Sequence, residues 1–181
     1  KKSFNGFLDF KPFYLKANLN YDGISTKDLF KDDSLLVELI KSEILNNQNL
    51  NVNINLAVND ITNIDELNNL YLLINLEQGD ITFSKSKILW KDDLEIILND
   101  GLLTYDNNEM SLLGKLIINT KNIDDFYKSF QIKKIDRKKI NQLELDFVYN
   151  FNKNKIIFDN VKIDKKSNDN IDKFINEHNS N

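Results

Sequence analysis

The sequence predicts a mainly β protein with a few α-helices, an α+β fold built on one antiparallel meander sheet. The first observation is the stretch NLNVNINLAVND at residues 49–60, where apolar and polar side chains alternate. A period of two is typical of a strand with one dry face and one wet face. The second observation is the short spacing between turn signals after residue 50, which favours hairpins and therefore antiparallel pairing.

Alternation of this kind predicts strands along most of the chain. Two early runs, 4–10 and 13–21, are separated by Pro12, which suits a bend or a sheet edge because it cannot donate to a ladder. The later predicted strands are 50–58, 70–76, 81–83, 86–90, 94–98, 102–105, 110–119, 142–151 and 155–163. The turn signals between them are Gly79-Asp80, Asp92-Asp93, Asp100-Gly101, Asp106-Asn107-Asn108 and Asn152-Lys153-Asn154.

Helical periodicity occurs in three places. Apolar residues at spacings of three and four predict helices near 34–46, 122–130 and 168–178. Ser34 and Asn122 are plausible N-caps for the first two. The third helix has the weakest apolar pattern of the three. We expect a β-sheet domain over 1–165, followed by a polar tail with this weak helix over 166–181.

Composition narrows the class of protein. The chain has 181 residues, a formal charge of −4 and no cysteine, so we expect one domain, no nucleic-acid partner and no thiolate chemistry. No apolar run approaches the roughly 18 residues of a membrane helix. Because the chain opens on Lys1, we interpret it as a segment of a longer protein. The many asparagines match AT-rich codon usage and receive no functional weight.

The dry faces of the predicted strands are the main candidate site. They form either a sealed core, as in most alternating strands, or an open surface for an apolar ligand. Many long strands with few helices to cover them must fold on themselves or bend around a ligand, so a curved sheet with an apolar groove stays open as the alternative to a sealed core. The candidate groove residues are Val52, Ile54, Leu56, Val58, Leu72, Ile74, Leu76, Leu112, Leu116, Ile118, Leu145, Phe147 and Tyr149.

The order of these segments is similar to that of a known family. The runs are LYLLINLEQGDITFSKSKI at 70–88, DGLLTYDNNEMSLLGKLIINTKNIDDFYKSFQI at 100–132 and INQLELDFVYNFNKNKIIFDNVKID at 140–164. They resemble the C-terminal region of AsmA-like proteins of the AsmA/TamB type, with a match over roughly residues 4–165. The resemblance consists of apolar and turn positions and contains no invariant chemical motif.

This resemblance implies a role in lipid transport. It implies the periplasmic part of an inner-membrane-anchored protein in a Gram-negative-type bacterium, with the anchor outside this segment. Such a part shelters phospholipid or other acyl chains between the inner and outer membranes, in support of outer-membrane biogenesis. The family has no catalytic residues and no cofactor to transfer, so the expectation is a non-enzymatic protein whose partners are phospholipids and possible other envelope proteins.

Other polar and aromatic motifs favour structural interpretations. Trp90 favours a packed strand end over a membrane interface, and KKIDRKK at 133–139 favours a solvated loop over a site for anionic lipid headgroups. The acidic pairs Asp32-Asp33, Asp92-Asp93 and Asp124-Asp125 lie at turns or helix starts and have no histidine partner. His178 is expected to be exposed, and the glycines form no nucleotide-binding loop.

Two alternatives to lipid transport stay open at this stage. The first is a closed β-sandwich, a structural module of the cell envelope that binds another protein through a sheet edge. The second and more distant one is a glycosidase that uses paired carboxylates.

Overall fold

Ten strands and two α-helices make up the part of the chain that the computed structural model describes, residues 2–10, 13–25, 49–62, 64–106, 109–167 and 169–180. The mainly β prediction is confirmed. The strands are β1 (Lys2–Phe10), β2 (Phe13–Ser25), β3 (Leu50–Thr62), β4 (Leu67–Glu77), β5 (Asp80–Phe83), β6 (Ser86–Trp90), β7 (Leu94–Asp106), β8 (Glu109–Thr120), β9 (Gln142–Asn150) and β10 (Lys155–Ile163). The helices are α1 (Asp124–Ser129), a 3-10 helix (Lys134–Asp136) and α2 (Asp169–Asn179).

All ten strands belong to one sheet with the order β1-β2-β3-β4-β5-β7-β8-β9-β10. Strands β5 and β6 lie one after the other between β4 and β7, because each of them pairs with both of these strands. The predicted antiparallel pairing is confirmed for every neighbouring pair of described strands except β2 and β3, which run parallel. A parallel neighbour needs a crossover connection instead of a tight turn. The segment 26–48 makes this connection, and it lies outside the described residues together with the predicted helix at 34–46.

One predicted turn is wrong. Asp100-Gly101 was expected to separate two strands, 94–98 and 102–105, but β7 continues through both and carries a register shift between Asn99 and Leu102. Asp100 has a positive φ of 50°, whereas a two-residue hairpin turn of this sequence needs a positive φ at both positions. A β-bulge therefore absorbs the extra residue without reversing the chain.

The bulge depends on two glycines that face each other. A Cβ on Gly114 would lie 3.0 Å from the Cα of Gly101 and 3.2 Å from the carbonyl oxygen of Asn99. A Cβ on Gly101 would lie 2.9 Å from a methyl carbon of Leu98. Neither strand can therefore take a larger residue here without moving its neighbour.

The other turn and helix predictions that fall on described residues agree closely with the structure, whereas the predicted turn at Asp106-Asn107-Asn108 has residues 107–108 outside them. Turns are found at Gln78-Gly79, at 91–93 and at 151–154. Helix α1 is shorter than predicted, since it spans Asp124–Ser129, and its N-cap position is Ile123 instead of the predicted Asn122. The side-chain oxygen of Asn122 nevertheless accepts the Asp124 N–H at 3.1 Å. Helix α2 matches its prediction to within one residue. The curvature and the groove, and the division into a sheet domain and a tail, stay predictions.

The two edges of the sheet differ in protection. At the β10 edge, the Asn179 side chain accepts the Phe158 N–H at 3.1 Å and donates to the Phe158 carbonyl oxygen at 2.7 Å. One amide thus replaces the two hydrogen bonds that a neighbouring strand would make. At the β1 edge, no further strand pairs among the described residues, and the exposed side chains include Phe4, Phe7 and Phe10.

Candidate functional site

One row of apolar side chains crosses the whole sheet. Cross-strand partners in register lie on the same face, so a chain of partners traces that face from edge to edge. The row runs through Leu8, Leu15, Val52, Leu76, Ile81, Leu103, Leu112, Tyr149 and Ile156. Nine strand positions at a spacing of about 4.8 Å give the row a length of about 38 Å. We call the face that carries it the apolar face.

All thirteen predicted groove residues lie on the apolar face. Val52 and Leu76 belong to the row itself, and Ile54 and Ile74 are partners in the next register position. On the other half of the sheet, Leu116 is paired with Leu145. The thirteen residues thus share one face of the sheet, and their role as the lining of a groove stays a prediction.

The apolar face is buried unevenly. Leu56, Val58, Leu76, Leu145 and Phe147 are buried, and the other eight candidates are half-buried. One cluster surrounds Leu56, Val58 and Ile61, and a second surrounds Leu145, Phe147 and Val161. Among the described helices, α2 contributes Ile171 and Ile175 to the second cluster. The face thus has two well-packed regions joined by half-buried side chains.

Two surface concavities lie at helix α2 and at strand β10. One has a volume of about 860 Å³, is wide open and lies along the polar side of α2; its lining is Asp169, Asp172, Lys173, Asn176, Glu177 and Ser180. The other, about 240 Å³, lies beside the β10 bulge and is lined by residues that include Asn160 and Lys162. Neither concavity is lined by a predicted groove residue.

The opposite face of β2, β3 and β4 is crossed by amide side chains. Asn55 donates to the side-chain oxygen of Asn18 at 2.8 Å, and Asn53 donates to that of Asn75. Further along the sheet, Gln142 donates to Asn119, which donates to Glu95. The asparagines that received no weight from sequence therefore link neighbouring strands, which is a structural role.

Trp90 is packed at a strand end, as the sequence favoured. Its ring centroid lies 5.5 Å from that of Phe126 and 6.4 Å from that of Phe130, and the Lys91 ammonium lies 4.9 Å from its ring. Helix α1 therefore contacts the end of β6 through three aromatic rings.

The segment 133–139, which we call the basic loop, is exposed as predicted. Ile135 is 90% exposed, and only Arg137 within the loop is half-buried. The buried Tyr127 holds the loop at its end, since its hydroxyl donates to the Lys138 carbonyl oxygen at 2.6 Å. The loop therefore presents its cations and one isoleucine to solvent.

The acidic pairs occupy the turns and the helix start that were predicted for them. Asp92 has a positive φ of 58° in the turn after β6. Asp125, in the first turn of α1, forms an ion pair with Lys128 at 2.7 Å, and this hydrogen bond holds the pKa of the Asp125 carboxyl below its ordinary value. Asp32-Asp33 lies outside the described residues. His178 is exposed, as expected, and its ring stacks on Phe158 at 5.5 Å.

Two kinds of site are absent from the described residues. Among the described residues, no group of three or more His, Asp or Glu side chains is placed to hold a metal ion. No described helix combines the length and the apolar character needed to cross a membrane.

One carboxylate outside the predicted pairs organises the end of the sheet. Asp164 accepts the backbone N–H groups of Asn141 and Gln142, both at 2.9 Å, and these bonds hold its pKa below the ordinary value of 3.8. A depressed carboxyl pKa means that the stabilising contribution is complete above the unfolded-state pKa and is lost as pH falls through the folded-state pKa.

We therefore expect Asp164→Ala to lower the thermal unfolding temperature at neutral pH, and we expect this difference to shrink as pH falls below 3.8. Thermal unfolding followed by circular dichroism from neutral to acidic pH measures both effects. Asp164→Asn is the matched control, since it keeps an acceptor oxygen without the charge. A difference for Asp164→Ala that does not change with pH would contradict the role of the ionised carboxylate.

Several members of the apolar face were missing from the predicted site. Leu15 was recognised in an alternating run but was not assigned to the site, and Leu103 was separated from its face by the wrongly predicted turn. On β10, the register shift between Asp159 and Lys162 breaks the period of two, so Phe158 and Val161 lie in one cluster despite their odd spacing. A bulge accounts for the errors on β7 and β10, because it changes which face the following residues occupy, but not for Leu15, whose strand pairs without a register shift.

Comparison with known proteins does not extend this description. No protein-family model, no curated protein and no solved structure matches the chain.

Proposed function

We propose that the apolar face shelters the acyl chains of phospholipids, and that the chain is a non-enzymatic, periplasmic segment of an AsmA-like lipid-transport protein in a cell envelope with two membranes. The observation that carries the proposal is the uninterrupted apolar row from Leu8 on β1 to Ile156 on β10. A row confined to the middle of the sheet would support only a core.

The dimensions of the apolar face suit an acyl chain. The row extends about 38 Å, and the hydrocarbon core of a bilayer is about 30 Å thick, or about 15 Å per leaflet. A fatty acyl chain can therefore lie along the row without reaching its ends. Each methylene that leaves water gains about 0.8 kcal/mol, so a continuous face allows a lipid to move while it stays out of water.

The incomplete burial of the face also supports the proposal. Eight of the thirteen candidates keep part of their surface accessible, and they include Ile54, Ile74 and Leu116. A monomeric protein rarely leaves a contiguous apolar patch of more than a few hundred Å² accessible unless something binds there. Contacts of this kind discriminate weakly between similar chains, so we expect broad acyl-chain specificity.

Photo-crosslinking tests the proposal directly. A photoreactive amino acid at Ile54 or Leu116 is expected to crosslink to a radiolabelled phospholipid in cells. The matched control positions are Asn53 on β3 and Lys115 on β8, each of which is adjacent to a test position on the same strand and therefore lies on the opposite face. Equal labelling at both sets of positions, or labelling at neither, would count against a lipid-binding face.

A second function, binding of another envelope protein through a sheet edge, is favoured by one observation. Strand β1 has nine residues and no partner on its outer side among the described residues, and it exposes 69% of both Phe4 and Phe10. Exposed apolar edge strands are templates for strand addition. Phe4 and Phe10 share the face of Leu8, so Phe7→Ser on the opposite face of β1 is the variant that should weaken such an interaction in a pull-down experiment and leave the crosslinks at Ile54 unchanged.

A further inference from the structure

The basic loop combines two properties that rarely occur together on a solvated turn. Five of its seven residues are Lys or Arg and one is acidic, although the whole chain carries a formal charge of −4. At its apex the 3-10 turn Lys134–Asp136 exposes 90% of Ile135. A turn that only connects two elements gains nothing from an exposed isoleucine among cations.

The fold holds this apex in place. The Tyr127 hydroxyl bonds to both backbone groups of Lys138, since it donates to the carbonyl oxygen and accepts the N–H at 3.3 Å. The Arg137 Nε donates to the Ile132 carbonyl oxygen at 2.9 Å. Tyr127 is itself buried, so the loop is attached to the packed part of α1.

Further apolar surface lies immediately before the loop. Phe130 is 59% exposed and Ile132 is 37% exposed. The Phe130 ring packs against the Phe126 ring at a centroid distance of 4.6 Å. Ile135 thus belongs to one short exposed stretch of the chain, 130–139, that carries three apolar side chains and five cations. Lys128 adds little to their charge, because it is paired with Asp125.

Lysines beside exposed aromatic and aliphatic side chains are typical of segments that lie at the surface of an anionic membrane. The cations approach the headgroups and the apolar side chains enter the boundary with the acyl region. A nucleic acid would also attract the cations through its phosphates, but it would leave Ile135 exposed to water. We propose that the basic loop docks this protein on an anionic phospholipid bilayer, with Ile135 inserted at the interface. This site is separate from the apolar face and does not depend on acyl-chain binding there.

Vesicle sedimentation tests the docking. The protein is expected to bind vesicles of phosphatidylcholine and phosphatidylglycerol in a two-to-one ratio and to bind pure phosphatidylcholine much more weakly. Each Lys near an anionic surface is worth about fivefold in affinity, so Lys133→Gln with Lys134→Gln should weaken binding by about 25-fold and reduce its salt dependence. The double variant Lys85→Gln with Lys173→Gln removes two exposed lysines outside the loop and should retain most of the binding.

Ile135→Ser separates insertion from simple charge attraction. The side chain is almost fully exposed, so the variant should fold normally and yet bind the anionic vesicles about tenfold more weakly or worse. Unchanged binding by Ile135→Ser, equal binding to neutral vesicles, or tighter binding to duplex DNA than to the anionic vesicles would each overturn the proposal.

A fluorescent probe gives an independent readout. Because the chain has no cysteine, Ile135→Cys provides a single site for an environment-sensitive dye, and Ile157→Cys on β10 is the control. We expect a blue shift with anionic vesicles only at position 135, and its absence would contradict insertion. Failure of this test leaves the crosslinking test of the apolar face unaffected, because that test uses lipid contacts at Ile54 and Leu116.

Discussion

Val58→Lys is expected to unfold the protein. Val58 is 1% exposed and lies between Tyr21 on β2 and Leu70 on β4 on the apolar face. A lysine there would bury a charge without a partner, a class of change that costs more than about 4 kcal/mol. Since domains of this size have a total stability of about 5–15 kcal/mol, this cost removes from about a quarter to most of the stability.

Thermal unfolding by circular dichroism measures this effect. We expect either no cooperative transition or a fall of at least about 10 °C in Tm. Val148→Lys is the matched control, because Val148 is 42% exposed on β9 and should change stability by less than about 0.5 kcal/mol. A stable Val58→Lys variant would mean that this end of the apolar face is open to water.

Ile54→Lys is expected to give the opposite result, a folded protein that has lost its lipid. Ile54 lies on the same strand and face as Val58 but is only half-buried, beside Ala17 and Ile74. A lysine stem can lie along the apolar surface while its ammonium reaches water. An acyl chain could then no longer cross this position without approaching a charge.

Native mass spectrometry of protein extracted from cell envelopes, combined with thermal unfolding, tests this prediction. Bound lipid should fall at least about tenfold, while the unfolding transition stays cooperative. Asn53→Lys places the same charge on the opposite face of the same strand and should keep the lipid. If Ile54→Lys unfolds while Asn53→Lys does not, the face of β3 is a sealed core along its whole length.

The sequence was most informative where the period of two is unbroken. From 50 to 58 and from 142 to 149 the alternation alone identified the strands and their shared face. Alternation works there because a strand with one dry face permits only one register. The turn at Gly79 and helix α2 were also predictable, since local backbone preferences decide them.

Long-range pairing was beyond the reach of local patterns. The parallel pairing of β2 with β3 depends on a connection of more than twenty residues. The alternation of apolar and polar side chains is the same for a parallel and an antiparallel strand, so it does not indicate the direction of pairing. The bulge at Asp100-Gly101 follows from contact with Gly114 on another strand. The apex of the basic loop was expected to be solvated, but only its hydrogen bonds to Tyr127 explain why Ile135 is presented outward.

The clamp of Asn179 on Phe158 has a consequence for assembly. Repeated head-to-tail addition of copies would require the β10 edge of one copy to receive the β1 edge of the next, and at β10 the incoming strand must first displace this amide. Without that step, two copies can meet only through their β1 strands, which gives an isologous contact about a two-fold axis. Such a contact closes on itself after two subunits. Among the described residues, the sheet thus has one edge that can be continued and one edge that is capped at Phe158, so we expect strand addition at β1 in preference to β10.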